Sequence, residues 1–162
     1  MSFAASTLCV ADTGVLLELH RLGYLEMLRK LFERVLIPPA VLLELQSLTA
    51  PTWMNLTKPS QVVLAAISTE TNLGRGELEA LAVAMEQNAW VLLDDKKARH
   101  YARSKEISSI GTLGLLILIH QNGWQQRSAQ ADLELLSQGL WITKTLLEAA
   151  LQQMTSIGEP GL

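Results

Sequence analysis

Five acidic residues stand close to the ends of apolar segments, and this placement is the feature of the sequence that suggests chemistry. They are Asp12, Glu44, Glu77, Asp94 and Asp95. Carboxylates that converge at one edge of a fold bind hard divalent cations such as Mg²⁺ or Mn²⁺. An ion held in this way activates water and stabilises charge on a phosphate. The pattern therefore suggests metal-dependent hydrolysis, with a nucleic-acid backbone as the expected substrate.

The segments around these acids predict an α/β fold. Strands are expected at residues 7–11, 34–37, 61–68, 90–93 and 107–110. Helices are expected at 15–20, 25–32, 40–48, 77–88, 94–104, 113–121, 129–137 and 143–154, and residues 49–59 are expected to form a loop. The strands are continuous apolar runs that alternate with helices, which favours a parallel sheet buried between helix layers.

Asp12 and the Asp94-Asp95 pair each follow a predicted strand directly. In an open parallel sheet, ligands bind at the carboxyl ends of the strands, so these acids are expected at one edge. One acid of the pair can cap the helix that follows, and the second then needs another role. Which of the two faces the site stays open.

Glu44 and the glutamates after Gly76 each allow two interpretations. Glu44 lies in an otherwise apolar helix, where a charge is costly unless it is paired or bound, but a solvated face is the alternative. Glu79 shares a helical stripe with Val83 and is expected to face outward, which favours Glu77 as the inward acid. Both can also be ordinary first-turn acids that interact with the helix dipole.

Basic residues follow the aspartate pair. On a helix, Lys96, Arg99, His100 and Arg103 share one broad face. This face would begin beside the acids and could hold phosphates on either side of the cut, although an ordinary solvated helix face is the alternative.

Composition limits the possible classes of protein. The chain has 162 residues, a net charge of −3 and a single cysteine, Cys9, so global charge does not favour nucleic acid and a cysteine-rich zinc site is excluded. The three histidines have no ligand-like spacing. The longest apolar run is too short for a membrane span. Residues 1–11 contain no Lys or Arg, so we expect no secretory signal and a cytoplasmic protein.

Six stretches in order resemble a PIN domain, and within that superfamily the branch of predicted nucleic-acid-binding proteins related to VapC-type toxins. They are residues 10–16 (VADTGVL), 23–28 (GYLEML), 34–41 (RVLIPPAV) with Glu44, 75–80 (RGELEA), 92–99 (LLDDKKAR) and 110–114 (IGTLG). Together they span most of residues 6–125. Their order and spacing carry the resemblance.

The resemblance implies a three-layer α/β/α sandwich and cleavage of single-stranded RNA with Mg²⁺ or Mn²⁺. The acids carried over are Asp12, Glu44, Glu77 and Asp94 or Asp95, and Thr13, Lys96, Arg99 and Arg103 are expected to contact substrate. In the wider superfamily the third acid is usually Asp, whereas here it is Glu77 or Glu79. Family members are often homodimers, and toxins of this type pair with a small antitoxin. We expect a PIN-like core at residues 1–125, helices packing on it at 126–155 and a frayed tail at 156–162.

The leading hypothesis is a metal-dependent endoribonuclease that acts as the toxin of a type II toxin–antitoxin pair. The alternative is a non-catalytic PIN-like module that binds RNA or protein. A dehalogenase-type phosphatase needs a second Asp where Gly14 stands, and a phosphate-binding loop needs a Gly-Lys-Ser/Thr ending that Gly74-Arg75-Gly76 lacks.

Overall fold

A computed structural model describes residues 3–46 and 48–156 and shows a five-stranded, fully parallel sheet in this part of the chain. The strands are β1 (Leu8–Ala11), β2 (Arg34–Ile37), β3 (Met54–Leu56), β4 (Trp90–Leu92) and β5 (Ser109–Ile110), in the order β3-β2-β1-β4-β5. Cys9 of β1 is aligned with Val35 of β2 and with Trp90 of β4. Because all strands are parallel, their carboxyl ends meet at one edge, on which β1 is central.

Helices connect the strands and cover both faces of the sheet. They are α1 (Thr13–Leu22), α2 (Leu28–Leu31), α3 (Pro39–Glu44), α4 (Gln61–Glu70), α5 (Arg75–Gln87), α6 (Lys96–Ser104), α7 (Thr112–Gln121), α8 (Ala129–Gly139) and α9 (Lys144–Thr155), with a 3-10 turn at Leu25–Met27 before α2. In the part of the chain that the structure describes, no helix combines the length and the apolar character that a membrane span requires.

Two hydrophobic clusters lie on opposite faces of the sheet, as the alternation of side chains along a strand requires. Cys9 and Ala11 of β1 point into a cluster formed with α1, α7, α8 and α9, whereas Val10 points into a cluster formed with α4, α5 and α6. The protein is therefore a three-layer α/β/α sandwich, and the predicted fold class is confirmed. The free thiol of Cys9 is fully buried, as expected for a small strand residue.

The predicted strand at 61–68 is wrong, because these residues form α4. The β-branched residues there suggested a strand, but Leu64 and Ile67 are buried one helical turn apart, and the Ser60 hydroxyl accepts a hydrogen bond from the Val63 amide. The third strand of the sheet is instead β3, within the segment predicted as a loop, where Met54 pairs with Val35. The predicted helix at 40–48 is shorter, ending at Glu44. Residues 47 and 157–162, the latter in the predicted frayed tail, lie outside the described residues.

A buried polar network attaches the C-terminal helices to the core. The Asp132 carboxylate is fully buried and accepts hydrogen bonds from the Tyr24 hydroxyl (2.6 Å) and from Nε of Arg127 (2.7 Å). Nε2 of His120 lies 2.7 Å from the same carboxylate. These contacts join α7 and α8 to the end of α1, and they give His120 a structural role.

Candidate active site

Asp12 lies at the centre of the sheet edge, directly after β1. It occupies the N-cap position of α1, but its side chain makes no capping hydrogen bond. The residue is only 8 % exposed. A carboxylate that is nearly buried and does not cap its helix is available for another partner.

The pKa of Asp12 is raised from 3.8 to about 7. Burial is the largest cause, and the nearby charges of Glu77 and Glu44 raise it further. The backbone N–H groups of Thr13 and Gly14 oppose this shift. The carboxylate that follows β1 and those on α3 and α5 therefore lie close enough for their charges to repel one another.

Glu44, the last residue of α3, is held by two neighbouring helices. The Thr13 hydroxyl donates a hydrogen bond to its Oε2 atom (2.7 Å), and the Gly76 amide donates one to Oε1 (3.2 Å). A Cβ atom at position 76 would lie 2.8 Å from either oxygen, so only glycine allows this approach of α5 without displacing the carboxylate. Thr13 thus touches an acid of the site, and its contact with substrate stays a prediction.

Glu77 is the acid of α5 that joins this group. One of its oxygens accepts a hydrogen bond from the Gly74 amide (3.2 Å) at the start of the helix. Its pKa is raised, mainly by burial and then by the charges of Asp95 and Glu44, while the Gly74 amide and the Lys97 ammonium lower it. Asp12, Glu44, Glu77 and Asp95 therefore form one electrostatically linked set, which we call the acid cluster.

The two aspartates after β4 differ in their contacts. Asp94 accepts hydrogen bonds from the amide (2.7 Å) and the hydroxyl (2.6 Å) of Thr112, so both of its oxygens bind the start of α7. Asp95 caps α6 through Oδ2, which accepts from the Ala98 amide (2.8 Å), and its charge acts on Glu77. These contacts favour Asp95 as the acid of the pair that faces the site.

The prediction that Glu79 faces outward is wrong, because Glu79 is only 5 % exposed. Its Oε1 atom accepts a hydrogen bond from the Ala40 amide (3.2 Å), and Oε2 pairs with Nε of Arg75 (2.7 Å). Helical spacing placed it on one stripe with Val83 and Glu86, but only Glu86 of the three is exposed. Glu79 thus joins α5 to the first turn of α3, the helix that ends in Glu44.

The acid cluster fits a hard divalent cation by its chemistry, since its side chains are carboxylates whose mutual repulsion a cation would relieve. Within residues 3–46 and 48–156, no three His, Cys, Asp or Glu side chains lie close enough together to hold a metal ion. Simultaneous ligation by three of the acids therefore requires side-chain rearrangement.

Basic side chains extend from the acid cluster along α6. Lys96, Arg99 and Arg103, which were predicted to contact substrate, line one cavity with His100 and Lys97. Lys97 was not predicted, because helical spacing places it beside the face that the others share. Its ammonium donates to the Asn72 carbonyl (3.0 Å) and lowers the pKa of Glu77, which places it next to the acids.

Comparisons with known proteins agree with this geometry. A family model described as a PIN domain matches residues 8–156. Comparison with curated proteins gives no match. The match covers the whole sheet, the acid cluster and all nine of the helices described above. The chain therefore belongs to the PIN domain family, whose members are generally nucleases.

Proposed function

We propose that this protein is an endoribonuclease that uses Mg²⁺ or Mn²⁺ to hydrolyse phosphodiester bonds in single-stranded RNA. The observation that supports this most strongly is the acid cluster, in which side chains from four separate elements repel one another at the carboxyl edge of the sheet. Such repulsion destabilises the ion-free site and favours a bound cation. PIN domains usually use divalent metal ions.

Asp12, Glu44, Glu77 and Asp95 are the residues proposed to hold the ion, and Asp94 stays a weaker candidate because Thr112 engages both of its oxygens. When bound, the ion would supply an activated water and charge stabilisation at the scissile phosphate. The Thr13 hydroxyl and the Gly76 amide orient Glu44 toward the site. Burial of Asp12 keeps bulk water from screening its charge.

Cleavage of a labelled single-stranded RNA, measured with and without added Mg²⁺ or Mn²⁺, tests this proposal. We expect cleavage by the wild type that chelation abolishes, and loss of cleavage in Asp12→Asn and Glu77→Gln. Glu134→Gln is the matched control, because Glu134 is an exposed acid on α8, away from the acid cluster. Cleavage that survives in Asp12→Asn, or that needs no divalent ion, would contradict the proposal.

A second candidate is a PIN-like module that binds RNA or protein without cutting. Among the described residues, no three potential ligands lie close enough together to hold an ion as they stand, which favours it. The glutamate at position 77, where the wider superfamily usually has aspartate, points in the same direction. Calorimetric titration with Mn²⁺ separates the two functions, since the module binds no ion and the nuclease binds one that Asp12→Asn loses.

We also propose that the protein acts as the toxin of a type II pair, as a homodimer that a small antitoxin inhibits. This role predicts that expression slows growth of the host cell and that Asp12→Asn relieves the effect. It also predicts a neighbouring reading frame for a small DNA-binding protein. If expression of the wild type does not slow growth although the protein cleaves RNA in vitro, the nuclease activity stands and the toxin role is excluded.

A further inference from the structure

The side chains that line the cavity along α6 are all basic. Lys96, Lys97, Arg99, His100 and Arg103, all exposed, line an open space of about 520 Å³ on the outer side of α6. We call this space the basic groove. The chain as a whole has a net charge of −3, so this concentration of positive charge is local.

In the described part of the chain, the four Lys and Arg side chains of the basic groove have no carboxylate within 4.0 Å. By contrast, six of the nine other Lys and Arg residues pair with a carboxylate at that distance: Arg21, Arg29, Arg75, Lys105, Arg127 and Lys144. Unpaired charges of one sign that line a cavity repel one another and attract an anion. The groove is therefore built to accept negative charge from outside the molecule.

The groove begins at the acid cluster. Asp95 is the N-cap of α6, and Lys97 lies near enough to Glu77 to lower its pKa. From Lys96 to Arg103 the helix rises by about 10 Å, at 1.5 Å per residue. Phosphates of one strand of duplex DNA are about 3.4 Å apart along the axis, and those of an extended single strand are farther apart, so this length holds at most about three phosphates.

The other flank of the acid cluster has a different character. Helix α3, which ends in Glu44, contains no Lys or Arg, and its Leu42 and Leu43 are 40 % and 77 % exposed. An anionic strand that crosses the acid cluster would thus meet cations on the α6 side and apolar side chains on the α3 side.

We propose that the basic groove binds about three consecutive phosphates of an RNA strand on one side of the bond to be cut. This inference rests on the proposed function for the position of the cut, whereas binding of the strand does not depend on cleavage. Lys97 and His100 join the groove as phosphate-binding residues, and α3, which has no Lys or Arg, contributes no phosphate contact on the opposite side of the cut.

Anisotropy of a fluorescein-labelled oligouridylate, titrated with the full-length protein in EDTA, tests the groove separately from catalysis. Three phosphate contacts predict a slope of about −2 for log K against log[salt], which is a loss of about 20-fold between 50 and 200 mM. Lys96→Ala with Arg103→Ala should reduce the slope by about 1.4 and the loss to about threefold. Arg34→Ala is the control, because Arg34 is exposed at the start of β2, on the opposite edge of the sheet, and has no acidic partner among the described residues.

An unchanged slope in the double variant would overturn the proposal. So would polyglutamate of equal charge that binds as tightly as the oligouridylate, since the groove would then fit an acidic protein. If the RNA binds with the expected slope but no Mg²⁺- or Mn²⁺-dependent cleavage is found, the proposal for the basic groove stands and the proposed nuclease activity fails. Once a cut is mapped, neutral methylphosphonate linkages should weaken binding on one side of it only, and equal losses on both sides would contradict the one-sided placement.

Discussion

Replacing Asp12 with asparagine is expected to stabilise the ion-free protein at neutral pH, although it removes the central acid of the site. Asp12 is 8 % exposed, and its pKa is raised from 3.8 to about 7 by burial and by the charges of Glu77 and Glu44. Between these two pKa values, the folded protein holds a proton that the unfolded chain releases. Asparagine has no proton to lose and no charge to bury.

The magnitude follows from the pKa difference. Because the folded state binds more protons, the free energy of unfolding falls as pH rises from about 4 to about 7 and then levels off. The full difference corresponds to about 4 kcal/mol, at 1.36 kcal/mol per pKa unit. This is an upper limit for the advantage of Asp12→Asn above pH 7, since the amide is also buried and needs hydrogen-bond partners.

Urea-induced unfolding in EDTA, measured for both proteins between pH 4 and pH 8, provides the test. The difference in unfolding free energy between variant and wild type should grow with pH up to about 7. Glu77, whose pKa is also raised, is present in both proteins, so only the part of its titration that depends on the charge of Asp12 contributes to this difference. The exposed acid variant Glu134→Gln should show no such trend. A difference that stays constant with pH, or that shrinks as pH rises, would refute the inference that Asp12 is held in a repulsive, desolvated position.

Three further substitutions distinguish residues of the acid cluster from residues that only position it. In Gly76→Ala, the new Cβ would lie 2.8 Å from the flexible Glu44 carboxylate and should displace it. We expect metal-dependent cleavage to fall while stability to urea is at least that of the wild type, and retained cleavage would contradict this role of glycine. Glu79→Ala leaves the buried Ala40 amide unpaired, and we expect a loss of about 1–3 kcal/mol in unfolding free energy together with weaker Mn²⁺ binding by calorimetry. Asp94→Ala removes two hydrogen bonds to the start of α7 and should cost about 1–3 kcal/mol in the ion-free protein, whereas unchanged stability would return Asp94 to the list of ion ligands.

The positions of most elements follow from local patterns that the sequence displays. Continuous apolar runs gave the bounds of β2 and placed β1 and β4 within a residue or so, because both faces of a central parallel strand are buried. In the segment 61–68, local composition gave the wrong prediction. Its valines and isoleucine favour a strand, but the Ser60 cap and the packing of the segment on α5 stabilise a helix. Edge strand β3 has only three residues, and its pairing with β2 depends on a contact distant in sequence.

The candidate site was predictable in its acids but not in their partners. Asp12 and Asp95 each follow a strand, and the parallel direction of β1 and β4 is enough to bring them to the same edge. The separate roles of Asp94 and Asp95 depend on where Thr112 lies, eighteen residues further along the chain. Burial of Glu79 depends on the packing of α5 against α3, and helical periodicity within α5 does not contain that information.

The most direct test of the acid cluster is the location of Mn²⁺ by anomalous X-ray diffraction from crystals of the wild-type protein soaked in the ion. We expect one or two anomalous peaks at the carboxyl edge of the sheet, in contact with Asp12 and with at least one of Glu77 and Asp95. No peak there at millimolar Mn²⁺, or a peak bound only by acids outside the cluster, would contradict a divalent-cation centre at this site.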